Sequence, residues 1–155
     1  MPSTQVEEES KRTLEERLVK RRTKLKLADL DYKRAIKEAA HSGMITQQEM
    51  AKHLGISQPS VSSAIKKAEK VDEKETPFEL CQRYSIGELS EEQLVDRLSN
   101  WEYVTSSVPD EYDGLLVDQP GTFREVEWAV IGGLIESSVY DTILERIKNK
   151  NPIHD

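Results

Sequence analysis

The fold is decided by residues 46–69, whose sequence is TQQEMAKHLGISQPSVSSAIKKAE. Thr46 and Glu49 have the spacing of a capping box, which predicts that a helix begins there. Gly55 supplies the backbone freedom for a sharp turn, and Ser57 is typical of the residue that caps a second helix. The apolar side chains expected to hold this pair against the preceding helix are Met50, Leu54, Ile56, Val61 and Ile65. The stretch therefore predicts two short helices joined by a tight turn.

The same stretch resembles the helix-turn-helix of bacterial and phage transcriptional regulators. Its second half, residues 57–69, is similar to the recognition helix of LysR-type and related regulators. The resemblance covers about 25 of the 155 residues and ends after Lys70, where an acidic linker takes the place of the β-wing of those proteins. It implies that the second helix docks on DNA, and it implies nothing about a small-molecule effector.

The second helix is expected to bring short polar side chains to base edges in the major groove and lysines to the phosphates. Gln58 can pair bidentately with adenine, and serine is permissive. The residues predicted to contact DNA are Gln47, Gln48, Ser57, Gln58, Ser60, Ser62, Ser63, Lys66, Lys67 and Lys70. The alternative is a helical hairpin that packs only against a protein. The lysines that end the stretch and the basic segment before it favour DNA.

Charge divides the chain into two parts of opposite sign. Residues 1–70 contain 15 Lys and Arg against 10 Asp and Glu, whereas residues 71–155 contain 7 against 19. Eight of the nine aromatic residues also follow residue 70. The first part can lie against phosphates and the second would be repelled by them. The change falls at residues 71–75, which are expected to form a linker.

The part before the linker is expected to begin with a disordered tail, residues 1–10, followed by a DNA-binding domain over residues 11–70. Its basic first helix carries a thin apolar stripe of Leu14, Leu18 and Leu25. This helix either contacts the DNA backbone, remains a solvated helix, or dimerises through the leucines. A second helix is expected from about residue 29 to residue 41.

The acidic part, residues 76–150, is expected to form a small helical domain that binds a partner or dimerises. Capping pairs predict its helix starts: Thr76 with Glu79, Ser90 with Gln93, and Thr122 with Glu125. The alternating residues 101–105 and the apolar run 115–117 favour a short β-hairpin or an ordered loop. The expected fold class is mainly α: a helix-turn-helix domain plus this acidic helical domain.

The sequence shows no catalytic set, cofactor motif or metal site, so no enzymatic function is expected. Cys81 is the only cysteine, which excludes an internal disulfide and a thiolate-rich zinc site. His41 and His53 have no partner at ligand spacing, and residues 110–113 lack the calcium-loop pattern. No apolar run could span a bilayer, and residues 1–10 are unlike a signal peptide, so a cytoplasmic protein is expected.

These features predict a sequence-specific repressor that binds operator DNA as a homodimer and holds a protein partner through residues 76–150. The antitoxin of a toxin–antitoxin module is a special case, because residues 84–98 loosely resemble short helical antitoxin segments. The alternative is a non-enzymatic adaptor or partition protein that lands on DNA and recruits a partner. A neighbouring toxin-like gene would favour the antitoxin, and centromere-like repeats would favour the adaptor.

Overall fold

The computed structural model describes residues 2–104 and 120–151, and the chain in these ranges is mainly helical. The helices are α1 (Pro2–Ser42), α2 (Gln47–Leu54), α3 (Gln58–Ala68), α4 (Pro77–Ser85), α5 (Glu91–Ser99), α6 (Arg124–Ile131) and α7 (Ser137–Lys150). The described ranges contain no strand, so the mainly α class is confirmed. Most of the β-hairpin or loop predicted between residues 101 and 117 lies outside them.

The chain divides into two compact units, Met1–Lys74 (unit 1) and Glu75–Asp155 (unit 2). Unit 1 contains α1 to α3, and unit 2 contains α4 to α7. The basic and acidic parts of the sequence therefore belong to separate structural units.

Helix α1 differs from two expectations: a disordered tail over residues 1–10, and a separate second helix from about residue 29 to residue 41. Residues 1–10 were expected to be a disordered tail, but α1 begins at Pro2 and runs without a break past residue 29 to Ser42. After Pro2 the segment contains neither Gly nor Pro, and most of its residues favour helix. Ion pairs between residues four apart add to this, including Arg12–Glu16 at 3.3 Å and Lys33–Asp29 at 2.8 Å. The charged residues of α1 do not prevent folding, because opposite charges four residues apart form ion pairs along the helix.

Unit 1 has a small core in which α3 packs between α1 and α2. Its buried residues are Ile36, Met50, Val61 and Ala68, and the partly buried residues around them are Ala39, Ala51, Ala64 and Ile65. Leu54 and Ile56 were expected to join this core, but they remain 39% and 38% exposed. Both flank the turn at Gly55, and three of the four partly buried residues packed against the core are alanines.

Unit 2 has a larger core, which α4, α5, α6 and α7 build together. Its buried residues are Leu80, Cys81, Leu94, Val95, Leu98, Val126, Ala129, Ile135, Val139 and Ile143. Aromatic side chains close its edges, and the ring centroids of Tyr103 and Phe123 lie 5.2 Å apart in an edge-to-face arrangement. The buried carboxylate of Glu79 is neutralised by Arg83, whose Nε donates to it at 3.1 Å.

The helix starts of unit 2 follow the predicted caps with one exception. Thr76 accepts a hydrogen bond from the backbone of Glu79, and Ser90 forms a full capping box with Gln93. The predicted pair of Thr122 with Glu125 is wrong, because α6 begins at Arg124 without a side-chain cap. The carboxylate of Glu125 instead accepts the backbone N–H of Gly121.

None of the helices in the described part of the chain combines the length and the apolar composition needed to cross a membrane.

Candidate nucleic-acid interface

The start and the end of α2 are both held by local hydrogen bonds. The backbone N–H of Glu49 donates to Thr46 Oγ1 at 3.1 Å, and that of Thr46 donates to the Glu49 carboxylate at 3.4 Å. At the other end, Gly55 adopts φ +67° and ψ +30°, a left-handed conformation that other residues rarely accept. The N–H groups of Gly55 and Ile56 both donate to the carbonyl of Ala51. These bonds set the direction in which the chain enters α3.

The start of α3 is held by two serines that were expected to contact DNA. Ser57 caps the helix by accepting the backbone N–H of Ser60 at 3.2 Å. The two hydroxyl oxygens also lie 2.7 Å apart, within hydrogen-bond distance. Pro59 occupies the first turn, where its missing N–H leaves no hydrogen bond unmade. Ser57 and Ser60 therefore have a structural role at the helix start, to which any contact with DNA would be additional.

The polar residues of α3 are spread around the helix instead of sharing one face. Val61 and Ala68 are buried, and with about 3.6 residues per turn the opposite side is formed by Pro59, Ser63 and Lys66. Gln58 and Ser62 flank this side along one edge; Gln58 is exposed and Ser62 is half-buried. Ser60 and Lys67 flank it along the other edge, and both are exposed. Four of these polar residues were expected to point outward together, but only Ser63 lies at the centre of the open side.

A groove of about 430 Å³ runs between α1 and α3 beside the open side of α3. Its lining residues are Asp29, Tyr32, Lys33 and Ile36 from α1, and Ser60, Ser63, Ala64 and Lys67 from α3. Tyr32 and Lys33 were not among the predicted contact residues. Tyr32 is the only aromatic residue before residue 70, which was the available signal. Its position beside α3 could not be known until α1 was placed against α3.

Positive charge gathers at the carboxyl-terminal end of α3. Lys66, Lys67 and Lys70 are exposed, and α3 itself contains no acidic residue. The nearest carboxylate in sequence, that of Glu69, is bonded to His41 Nε2 at the end of α1. A ligand approaching this end of the helix would meet exposed lysines, and Gln47 and Gln48 are also exposed at the start of α2.

The chain leaving α3 is tied back to α1. Arg34 donates to the backbone carbonyls of Asp72 and Lys74, and Lys37 donates to the carbonyl of Val71 at 3.0 Å. These bonds belong to the segment that was expected to be a linker. They occupy two basic residues of α1 and hold the end of unit 1 against that helix.

The chain matches no protein family, no curated protein and no solved structure.

Proposed function

We propose that the protein is a sequence-specific transcriptional regulator that binds double-stranded DNA through α2 and α3, used as a helix-turn-helix. The observation that carries the proposal is the arrangement of α3. Its apolar side is held by α1 and α2, while the side with Pro59, Ser63 and Lys66 is open. A helix held in this way can enter the major groove without losing its own packing.

Charge supports placing the DNA contact in unit 1. Unit 1 contains 16 Lys and Arg against 12 Asp and Glu, whereas unit 2 contains 6 against 17. A polyanion such as DNA is therefore attracted to the first unit and repelled by the second. Within unit 1 the lysines at the end of α3 are suited to phosphates, which position a helix in the groove without reading sequence.

The first test changes the phosphate contacts. A duplex that binds the full chain is first selected from a random library, and affinity is then measured by fluorescence anisotropy over a range of salt. Lys66→Ala combined with Lys67→Ala is expected to weaken binding to all sequences alike. The slope of log K against log salt should fall by about two, since each phosphate contact contributes about 0.9.

The matched control is Lys148→Ala with Lys150→Ala, which removes the same charge from the exposed end of α7 in unit 2. This control should bind DNA like the unchanged chain. Equal weakening by both pairs would show a general charge effect, and no binding to any duplex would refute the proposal.

The second test concerns base contacts. Ser63→Ala and Gln58→Ala are expected to relax sequence preference, because a good contact to a base is worth about 1–3 kcal/mol of discrimination. Ser60→Ala serves as the comparison, since its hydroxyl is engaged at the helix start. It should lower stability more than it changes the footprint. An unchanged footprint for the Ser63 and Gln58 variants together would remove these residues from the interface.

The antitoxin and the partner-recruiting adaptor both stay predictions from the sequence. Both place DNA binding in unit 1 and give unit 2 to a protein partner. A DNA footprint of the full chain separates both of these from a helical hairpin that packs only against protein, because such a hairpin would protect no DNA.

A further inference from the structure

The first half of α1 lies outside the core of unit 1. Residues 3–22 are all exposed, and the residues of α1 that join the core of α2 and α3, Ile36 and Ala39, lie in its second half. Leu14 and Leu18 in this range are 56% and 71% exposed, and Leu25, which lies between the buried residues Thr23 and Leu27, is also 71% exposed. Most helical stability in proteins comes from packing an apolar face, so a long helix with bare leucines points to a missing partner.

The three leucines lie on one side of the helix. Leu14 and Leu18 are four residues apart, and Leu18 and Leu25 are seven apart, which is the spacing of a coiled-coil seam. Counting the same spacing onward leads to Tyr32, which lines the groove beside α3. Val19 is also exposed but lies on a different side of the helix. The seam is therefore a defined stripe and not a general scatter of apolar residues.

Charge indicates which partner fits this stripe. Residues 2–16 contain five Glu against two Lys and Arg, whereas residues 17–26 contain six Lys and Arg and no acidic residue. A parallel copy of the helix would bring the six positive charges of one chain beside the six of the other. An antiparallel copy would bring the run Glu7–Glu9 of each chain beside the basic segment of the other, which is favourable.

We propose that two copies of this chain pair through the first half of α1 as an antiparallel coiled coil. Leu14 of one copy packs beside Leu18 of the other, near the two-fold axis, and Glu8 of one copy lies close to Arg22 of the other. In this register Leu25 of each copy lies beside Glu7 of the other and Arg21 lies beside Lys11. Only two leucine pairs form the apolar centre of the seam, so the dimer dissociates on dilution. The pairing goes beyond the proposed DNA binding and does not depend on it.

The first experiment is sedimentation equilibrium of the full chain from 1 to 100 μM. The unchanged chain is expected to be a dimer at the upper concentrations. Leu14→Glu with Leu18→Glu should be a monomer throughout, because four carboxylates would meet in the seam. The matched control, Val19→Glu, introduces an exposed carboxylate on another side of the same helix and should remain dimeric.

Circular dichroism melting checks that the double variant keeps the folded core, from which both leucines are absent. A monomeric unchanged chain at 100 μM would overturn the proposal. A double variant that stays dimeric would do so as well, since another surface would then hold the copies together.

The second experiment tests the direction of the two helices. Glu8→Cys and Arg22→Cys chains, one of them carrying a mass tag, are mixed, allowed to exchange and oxidised. The native thiol of Cys81 is fully buried and does not compete. The antiparallel arrangement predicts that the mixed disulfide forms in excess over either homodisulfide. An excess of the two homodisulfides would overturn it in favour of parallel helices. Loss of DNA binding in any of these variants bears only on the proposed function.

Discussion

Unit 1 and unit 2 are both built from helices, yet they use their apolar residues differently. The core of unit 1 has four buried residues, supported mainly by alanines, while three leucines of α1 remain in water. The core of unit 2 has ten buried residues and aromatic side chains along its edges. The difference teaches that unit 1 is organised around exposed surfaces, the polar side of α3 and the exposed first part of α1, whereas unit 2 is organised around a packed interior. Substitutions should therefore affect stability most in unit 2 and surface interactions most in unit 1.

The largest effect is expected from Leu94→Ala in the core of unit 2. Leu94 is fully buried, so truncation removes apolar contacts and leaves a cavity, at a cost of about 2–5 kcal/mol. Both tryptophans, Trp101 and Trp128, lie in unit 2, so denaturation followed by tryptophan fluorescence reports on that unit. Ile131→Ala is the control, because Ile131 is 83% exposed and should change stability by less than about 0.5 kcal/mol. Equal losses for the two variants would break the comparison.

A smaller loss is expected from Val61→Ala in the core of unit 1. Val61 is fully buried against α1, and removing two methyl groups should cost about 2 kcal/mol. Unit 1 lacks tryptophan, so its unfolding is followed by circular dichroism. Val19→Ala makes the same chemical change at an exposed position and should leave the free energy of unfolding almost unchanged. If Val61→Ala were as harmless as this control, the packing of α3 against α1 would be wrong.

The turn between α2 and α3 gives the next effect. Gly55→Ala places a side chain on a residue with φ +67°, which is expected to cost about 1–2 kcal/mol. Gly55→Asn should recover part of this loss, because Asn tolerates the left-handed conformation better than Ala. Thermal melting of both variants measures the difference. An Ala variant at least as stable as the Asn variant would contradict the assigned turn geometry.

The smallest effect on stability at neutral pH is expected from the ionisation of the Cys81 thiol in unit 2. Burial, with a contribution from the Glu125 carboxylate, raises the pKa of this thiol from its ordinary 9.0 to about 12. The folded protein therefore keeps the thiol protonated at pH 9, and a thiol reagent should label it only after unfolding. Ionisation of this thiol therefore leaves the free energy of unfolding unchanged below pH 9. As the pH rises from 9 towards 12, it lowers the free energy of unfolding. Rapid labelling of the folded protein at pH 9 would show that the core of unit 2 is open.

Local features of the α2–α3 pair could be predicted from sequence because they depend on residues a few positions apart. The cap at Thr46, the turn at Gly55 and the cap at Ser57 all use hydrogen bonds or backbone angles within one helical turn. The cap predicted at Thr122 is absent, because residue spacing alone does not decide between competing local hydrogen bonds. The carboxylate expected to complete it, that of Glu125, bonds to the backbone of Gly121 instead, which the spacing of residues did not reveal.

The order of residues along the chain determined that it is mainly helical, that its two parts carry opposite charge, and that α2 and α3 are joined at Gly55. These properties follow from side-chain chemistry and from interactions between near neighbours. Tertiary structure alone decided that Leu54 and Ile56 stay outside the core and that Tyr32 lies beside α3. The reason is that a helix offers several faces of similar polarity. Contacts between residues far apart in sequence select which face is buried and which is left open to a partner.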